Sequence, residues 1–115
     1  MQISDYSNQA ISTDTFDDTK PKDPGSHAFI SKVLGLTGEA GEVAEKMKKI
    51  LRDNGGVMND ADKREIAKEL GDILWYINST ARYLGFSLEE VAQMNLDKVL
   101  SRKARGVSHG SGDNR

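Results

Sequence analysis

Apolar residues in this chain recur at spacings of three and four almost throughout, and alternating apolar–polar runs are scarce. That period stacks side chains on one face of a helix and argues against a sheet. A short first helix is expected from about Ile3 to Ile11, with Ser4 or Asp5 near its start. Residues 12–25 collect Asp, Thr, Pro21, Pro24 and Gly25 and read as a loop. Ser26 is placed to N-cap a second helix reaching about Arg52, with Phe29, Ile30, Val33, Leu36, Ala40, Val43, Met47 and Ile50 facing inward. Asp53-Asn54-Gly55-Gly56 stops it, because Asn and Gly tolerate the left-handed backbone on which helices end. A third helix is expected from Asn59 or Asp60 to Gly85, burying Ile66, Leu70, Ile73, Ile77, Ala81 and Leu84. Ser87-Leu88-Glu89-Glu90 has the form of a capping box and opens a fourth, with Leu88, Val91, Ala92, Leu96 and Val99 inward and a close at Gly106. The expected fold class is all-α, an antiparallel helical bundle.

Length sharpens this. A chain of 115 residues suits one domain spanning 1–115, with residues 1–25 as an N-terminal segment and 106–115 as a polar, Gly-rich tail. Its core would be thin, so completion of the bundle by homo-oligomerisation is expected. Trp75 and Leu74 widen the third helix's apolar arc beyond one core face, which points the same way. The absence of cysteine excludes disulfide frameworks, thiolate catalysis and Cys-based zinc sites. Met1-Gln2-Ile3-Ser4-Asp5-Tyr6 has neither a basic nor an apolar leader region, and no run approaches the roughly 18 apolar residues of a membrane span. A soluble, cytoplasmic protein is the expectation. Net charge is −2, but residues 1–25 carry five acids against Lys20 and Lys22, while Arg102, Lys103, Arg105 and Arg115 make the C-terminal end basic. There is no chain-wide basic field for nucleic acid; the basic end suits a small anion.

Two pairs of acids stand beside the apolar stripes. Glu39 and Glu42 are three apart on the second helix, and Glu69 and Asp72 are three apart on the third. If the two helices pack antiparallel, both pairs face one cleft, where four carboxylates repel unless cations neutralise them. Oxygen-only donors favour Mg²⁺, Mn²⁺ or Ca²⁺ over zinc. Neither His27 nor His109 sits at the Glu-x-x-His spacing of di-iron sites. The plain alternative is a solvated acidic face, which Glu45, Glu65 and Glu89 fit.

The words around these acids go further. Gly35-Leu36-Thr37-Gly38-Glu39-Ala40-Gly41-Glu42, then Glu69-Leu70-Gly71-Asp72-Ile73-Leu74-Trp75-Tyr76, then Asn95, Lys98 and Arg102 in the order N-x-x-K-x-x-x-R, resemble the MazG-like nucleoside triphosphate pyrophosphohydrolases. Arg105 belongs to a basic ending, Arg102 to Gly106, similar to that of small stand-alone members. The resemblance covers about residues 30–115 and implies an all-α fold of paired subunits with Mg²⁺-dependent cleavage between the α- and β-phosphates. Mn²⁺ is a possible substitute. Glu39, Glu42, Glu69 and Asp72 then match the metal ligands, and a pair of Mg²⁺ ions roughly 3.5–4 Å apart would suit the reaction. Some members carry a further Glu just before the first motif acid; here it is Gly38, which leaves activation of water to the metal with Glu39 assisting. Asn95, Lys98 and Arg102 form one stripe of the fourth helix and, with Arg105, would meet phosphates; the alternative is a basic helix end complementing the dipole. Tyr76 matches a nucleoside-contacting position, with a core tyrosine as the alternative, and Trp75, about 100° round, is expected in the core or a subunit interface.

Gly35, Gly38 and Gly41 each cost a helix roughly 1 kcal/mol against Ala. No G-K-[ST] follows, so a Walker A loop is rejected. Close approach of a neighbouring helix is expected, with Gly38 and Gly41 leaving space beside the carboxylates. Two further readings are phosphoribosyl-ATP pyrophosphohydrolase and a non-catalytic helical interaction module.

Overall fold

A computed structural model describes residues 1–16 and 23–115 of the chain. The described residues form four helices and no strand: α1 (Ile3–Ile11), α2 (His27–Asn54), α3 (Asp60–Tyr83) and α4 (Leu88–Ala104). Asp17, Asp18, Lys20, Pro21 and Lys22 of the expected loop lie outside the described residues.

Local chemistry sets the helix ends. The Ser26 hydroxyl accepts from the Phe29 N–H at 3.2 Å, as an N-cap should. Asn59 and Asp62 exchange side-chain-to-backbone bonds of 2.8 and 3.0 Å, and Ser87 and Glu90 do the same at 3.0 and 2.7 Å. The first cap differs from expectation: Gln2 occupies it, and Asp5 reaches back to the Gln2 N–H at 3.1 Å. α2 runs two residues past Arg52 and closes on Gly55 at φ 59°, within the expected stop.

The dominant packing is α2 on α3. The pair is antiparallel, for Gly35 lies against the Tyr76 ring while Lys46 pairs with Glu69, so numbers rise on one helix as they fall on the other. α1 lies on α3, and α4 touches α1 and α3 but not α2. That leaves much of the expected inward stripes uncovered. Ile30, Val33 and Met47 on α2, Leu70 and Leu84 at α3, and Leu96 and Val99 on α4 are exposed, as are Ala40 and Ala92. The reason is geometric: covering both apolar faces of a helix pair takes more helix than α1 supplies, and α4 does not close over α2. The radius of gyration, 17.1 Å, exceeds the roughly 13–14 Å of a compact chain this long.

Where α1 meets α3 the contact is polar. Asn78 and Ser79 are fully buried. The Ser7 hydroxyl donates to Asn78 Oδ1 at 2.6 Å, Asn78 Nδ2 donates to the Ser7 carbonyl at 3.1 Å, and Arg82 donates to Ser7 Oγ and Asn8 Oδ1 at 3.1 Å each. Such bonds fix register, since a one-residue slip would strand buried polar groups.

Candidate metal centre

The antiparallel register brings Glu39 of α2 opposite Glu69 and Asp72 of α3. One carboxylate oxygen from each of the three lies within 4.8 Å of the others. Glu42, one turn beyond Glu39, is exposed, and its charge is felt at Glu39. Desolvation, followed by the charges of Asp72, Glu69 and Glu42 and a hydrogen bond shared with Glu69, pushes the Glu39 carboxyl above its ordinary value. Among the described residues one cation answers this charge: Lys46 Nζ stands 3.2 Å from Glu69 Oε1. Lys46 was not singled out from sequence, although it is seven residues after Glu39 and so on the same helix face. Three clustered carboxylates, with one ammonium beside them among the described residues, are a donor set suited to a hard divalent cation.

Beside the acids runs a groove of about 340 Å³ lined by Glu39, Asp72, Trp75 and Tyr76. Its floor explains one glycine. A Cβ on Gly35 would stand 2.8 Å from Tyr76 Cδ1 and closer still to Cε1 and Cζ, so only glycine lets the ring lie on the α2 backbone. Gly38 and Gly41 meet nothing within 4 Å, so the expected helix contact holds for Gly35 alone, through a ring, while the expected space beside the carboxylates is present. Trp75 corrects expectation too. It touches α1, but it also lines the groove, packed edge-to-face on Tyr76 with centroids 5.0 Å apart. Its indole N–H donates to Thr13 Oγ1 at 2.8 Å and to the Ala10 carbonyl at 3.1 Å, so contacts from outside the helix turn it. Tyr6 of α1 lies near enough for the Asp72 charge, after burial, to raise its phenol.

The basic residues of α4 are not part of this cluster in the subunit. Asn95 is exposed. Lys98 Nζ sits 3.3 Å from Asp113 Oδ1. Arg102 is buried under the tail, donating to the Asp113 carbonyl at 2.8 Å and the Gly112 carbonyl at 3.2 Å, with Asp113 Oδ1 at 3.4 Å. Arg105 donates to the Arg115 carbonyl at 2.7 Å. Hydrogen bonds and charge from Lys98, then Arg102, hold the Asp113 carboxyl below its usual range.

The chain is thus an all-helical protein whose facing helices gather carboxylates beside a groove walled by Trp75 and Tyr76. This chain belongs to the MazG nucleotide pyrophosphohydrolase family, whose domain matches residues 28–107. It is similar to the Gene 37 protein of Mycobacterium phage L5, at 52% identity over 82 residues, which cover 71% of this chain and 72% of that one. No solved structure matches the chain. No helix among the described residues is long and apolar enough to cross a membrane.

Proposed function

We propose that the protein is a Mg²⁺-dependent nucleoside triphosphate pyrophosphohydrolase, with Mn²⁺ as a substitute, cleaving between the α- and β-phosphates to give a nucleoside monophosphate and pyrophosphate. The observation that carries this is the convergence of Glu39, Glu69 and Asp72 oxygens within 4.8 Å, beside a groove walled by two aromatic rings. Glu39, Glu69 and Asp72, with Glu42 swinging in from the next turn, would hold the divalent ions. When bound, these would neutralise charge on the phosphates under attack.

The chain's own groups supply the remainder. In the step, a water oxygen bonds to the α-phosphorus, the bond to the α–β bridging oxygen breaks, and pyrophosphate departs. Activation of the water would fall to the bound metal, with Glu39 assisting in the removal of its proton. Trp75 and Tyr76 offer π-faces and edges to a nucleobase. Asn95, Lys98, Arg102 and Arg105 would carry the β- and γ-phosphates, and α4's separation from α2 favours their reaching a neighbouring copy's site. A homodimer or homotetramer fits the uncovered apolar faces: Leu34, Leu51 and Val57 are each about two-thirds or more exposed.

Pyrophosphate release from a panel of nucleoside triphosphates and phosphoribosyl-ATP, with and without Mg²⁺, tests the reading. Mg²⁺-dependent release from the triphosphates supports it. Release from phosphoribosyl-ATP alone, or from nothing, overturns it.

A further inference from the structure

The family domain begins at residue 28, yet the atoms that accept from Trp75 belong to residues 10 and 13. The indole N–H is shared between the Ala10 carbonyl and Thr13 Oγ1, and the Thr13 hydroxyl itself donates to the Ala10 carbonyl at 2.7 Å, closing a triangle. Over the ring stands a buried ammonium. Lys32 Nζ lies 5.1 Å from the Trp75 centroid, 5.6 Å from Phe16 and 5.9 Å from Tyr83, within the range of cation–π attraction. A lysine that is only 7% exposed needs a counter-charge, and Asp14 provides it at 2.9 Å. The same carboxylate accepts the Tyr83 hydroxyl and, at 3.0 Å, the Phe16 N–H. One acid thus ties the N-terminal segment to α2 and α3 at once. The ring held by these contacts is the one that lines the groove.

We propose that residues 10–16, which precede the family domain, fix Trp75 as the base-binding wall of the groove, with Thr13, Asp14 and Lys32 as positioning residues that set discrimination among nucleobases. The proposal rests on the reading that the groove takes a nucleotide. It follows from the freedom a partly exposed indole would otherwise have: without its two acceptors and the ammonium over it, the ring would sample several rotamers, and a base would lose part of its stacking energy in ordering one. The carboxylates fix where the phosphates sit. The segment ahead of the domain fixes what lies flat beside them.

Trp75 is the chain's sole tryptophan, so intrinsic fluorescence reports on this wall alone. The full-length protein is titrated with the 5′-monophosphates of adenosine, cytidine, guanosine and uridine, and with ribose 5-phosphate as the base-free probe. KM and kcat are measured for the corresponding triphosphates. Wild type should be quenched by at least one nucleotide and not by ribose 5-phosphate. Thr13→Val should weaken that nucleotide's binding by roughly three- to tenfold, the worth of one lost hydrogen bond. It should also narrow the spread of KM among bases, with KM moving more than kcat. Asp14→Asn should do the same more strongly. A merely structural role would lower the active fraction equally for every base. If Asp14→Asn does not fold, Thr13→Val decides. Folded Thr13→Val with wild-type nucleotide affinities and base spread overturns the proposal, as does quenching no different from that by ribose 5-phosphate. Absence of hydrolysis would remove the enzymatic reading while leaving the titration decisive, because product binding needs no turnover.

Discussion

Replacing Gly35 by alanine tests the contact on which the groove is built. Removing a glycine from the interior of a helix ordinarily stabilises it by about 1 kcal/mol. At this position the new methyl would meet three atoms of the Tyr76 ring, with even Cδ1 at 2.8 Å. The ring must move, and in moving it gives up its edge-to-face contact with Trp75, a pairing worth about 0.5–1.5 kcal/mol. Overpacking of this kind costs about 1–3 kcal/mol. With three overlaps and a lost aromatic contact the upper part of that range applies, leaving Gly35→Ala destabilised by about 1–2 kcal/mol after the helical gain. For a chain of this length each kcal/mol moves the midpoint by about 3–6 °C, so a fall of about 3–12 °C is expected in thermal melts followed by circular dichroism. Gly38, with nothing within 4 Å, supplies the control: Gly38→Ala should rise by up to about 1 kcal/mol. Only the Gly35 effect should couple to the ring. In a Tyr76→Ala background Gly35→Ala should become stabilising by about 1 kcal/mol. Gly35→Ala protein as stable as wild type would refute the close-approach argument.

Glu69→Gln keeps the side chain's size and removes a ligand charge, so it should nearly abolish Mg²⁺-dependent turnover while far-ultraviolet circular dichroism stays unchanged; a near-wild-type rate in folded protein would sink the carboxylate site. Mg²⁺ or Mn²⁺ should raise the melting temperature by mass action on the folded state, about 2.7 kcal/mol at a hundred times Kd. The folded-state pKa of Glu39 lies above its ordinary value, so its charged form opposes folding at neutral pH and protonation relieves this as pH falls through that raised value. Cations compete with the same proton, and the metal-induced shift should shrink as pH falls through that raised value; a shift independent of pH would contradict the clustering. Size exclusion with light scattering should find the active species at two or more copies, and a fully active species at the monomer mass of 12.6 kDa would exclude a shared site.

What sequence could reveal depended on the range of the forces involved. Caps act within three or four residues, and the starts at Ser26, Asn59 and Ser87 were legible for that reason. The carboxylate cluster was legible because i, i+3 spacing on two helices needs only an antiparallel register to converge, and Glu39, Glu69 and Asp72 do so. Burial was not. A stripe at helical period shows which face is apolar and leaves open what covers it, so Leu70 and Val99, both inward by pattern, are exposed in the subunit. The aromatic wall was illegible for a related reason. Trp75 is turned by acceptors at residues 10 and 13, more than sixty positions away, and no local pattern links Asp14 to Lys32.

The open subunit and the crowded acids have a common logic. Lys46 answers part of the charge of Glu69, and nothing within the described cluster answers that of Glu39 and Asp72 together. The described residues hold few buried apolar side chains to offset such repulsion: Ala10, Ala28, Ile50, Ala81 and Leu88. A compact apolar core would hold the site rigid unaided. Here the polar lock of Ser7, Asn78 and Arg82, with the Asp14–Lys32 pair, does that work at one end of the α2–α3 layer. Partner-free apolar faces remain along the rest. Cations at the acids and a second copy on those faces would each bind only the folded arrangement, so both stabilise it by mass action. Metal affinity and subunit association should therefore rise together, since each ligand of the folded state reduces the ordering cost left to the other.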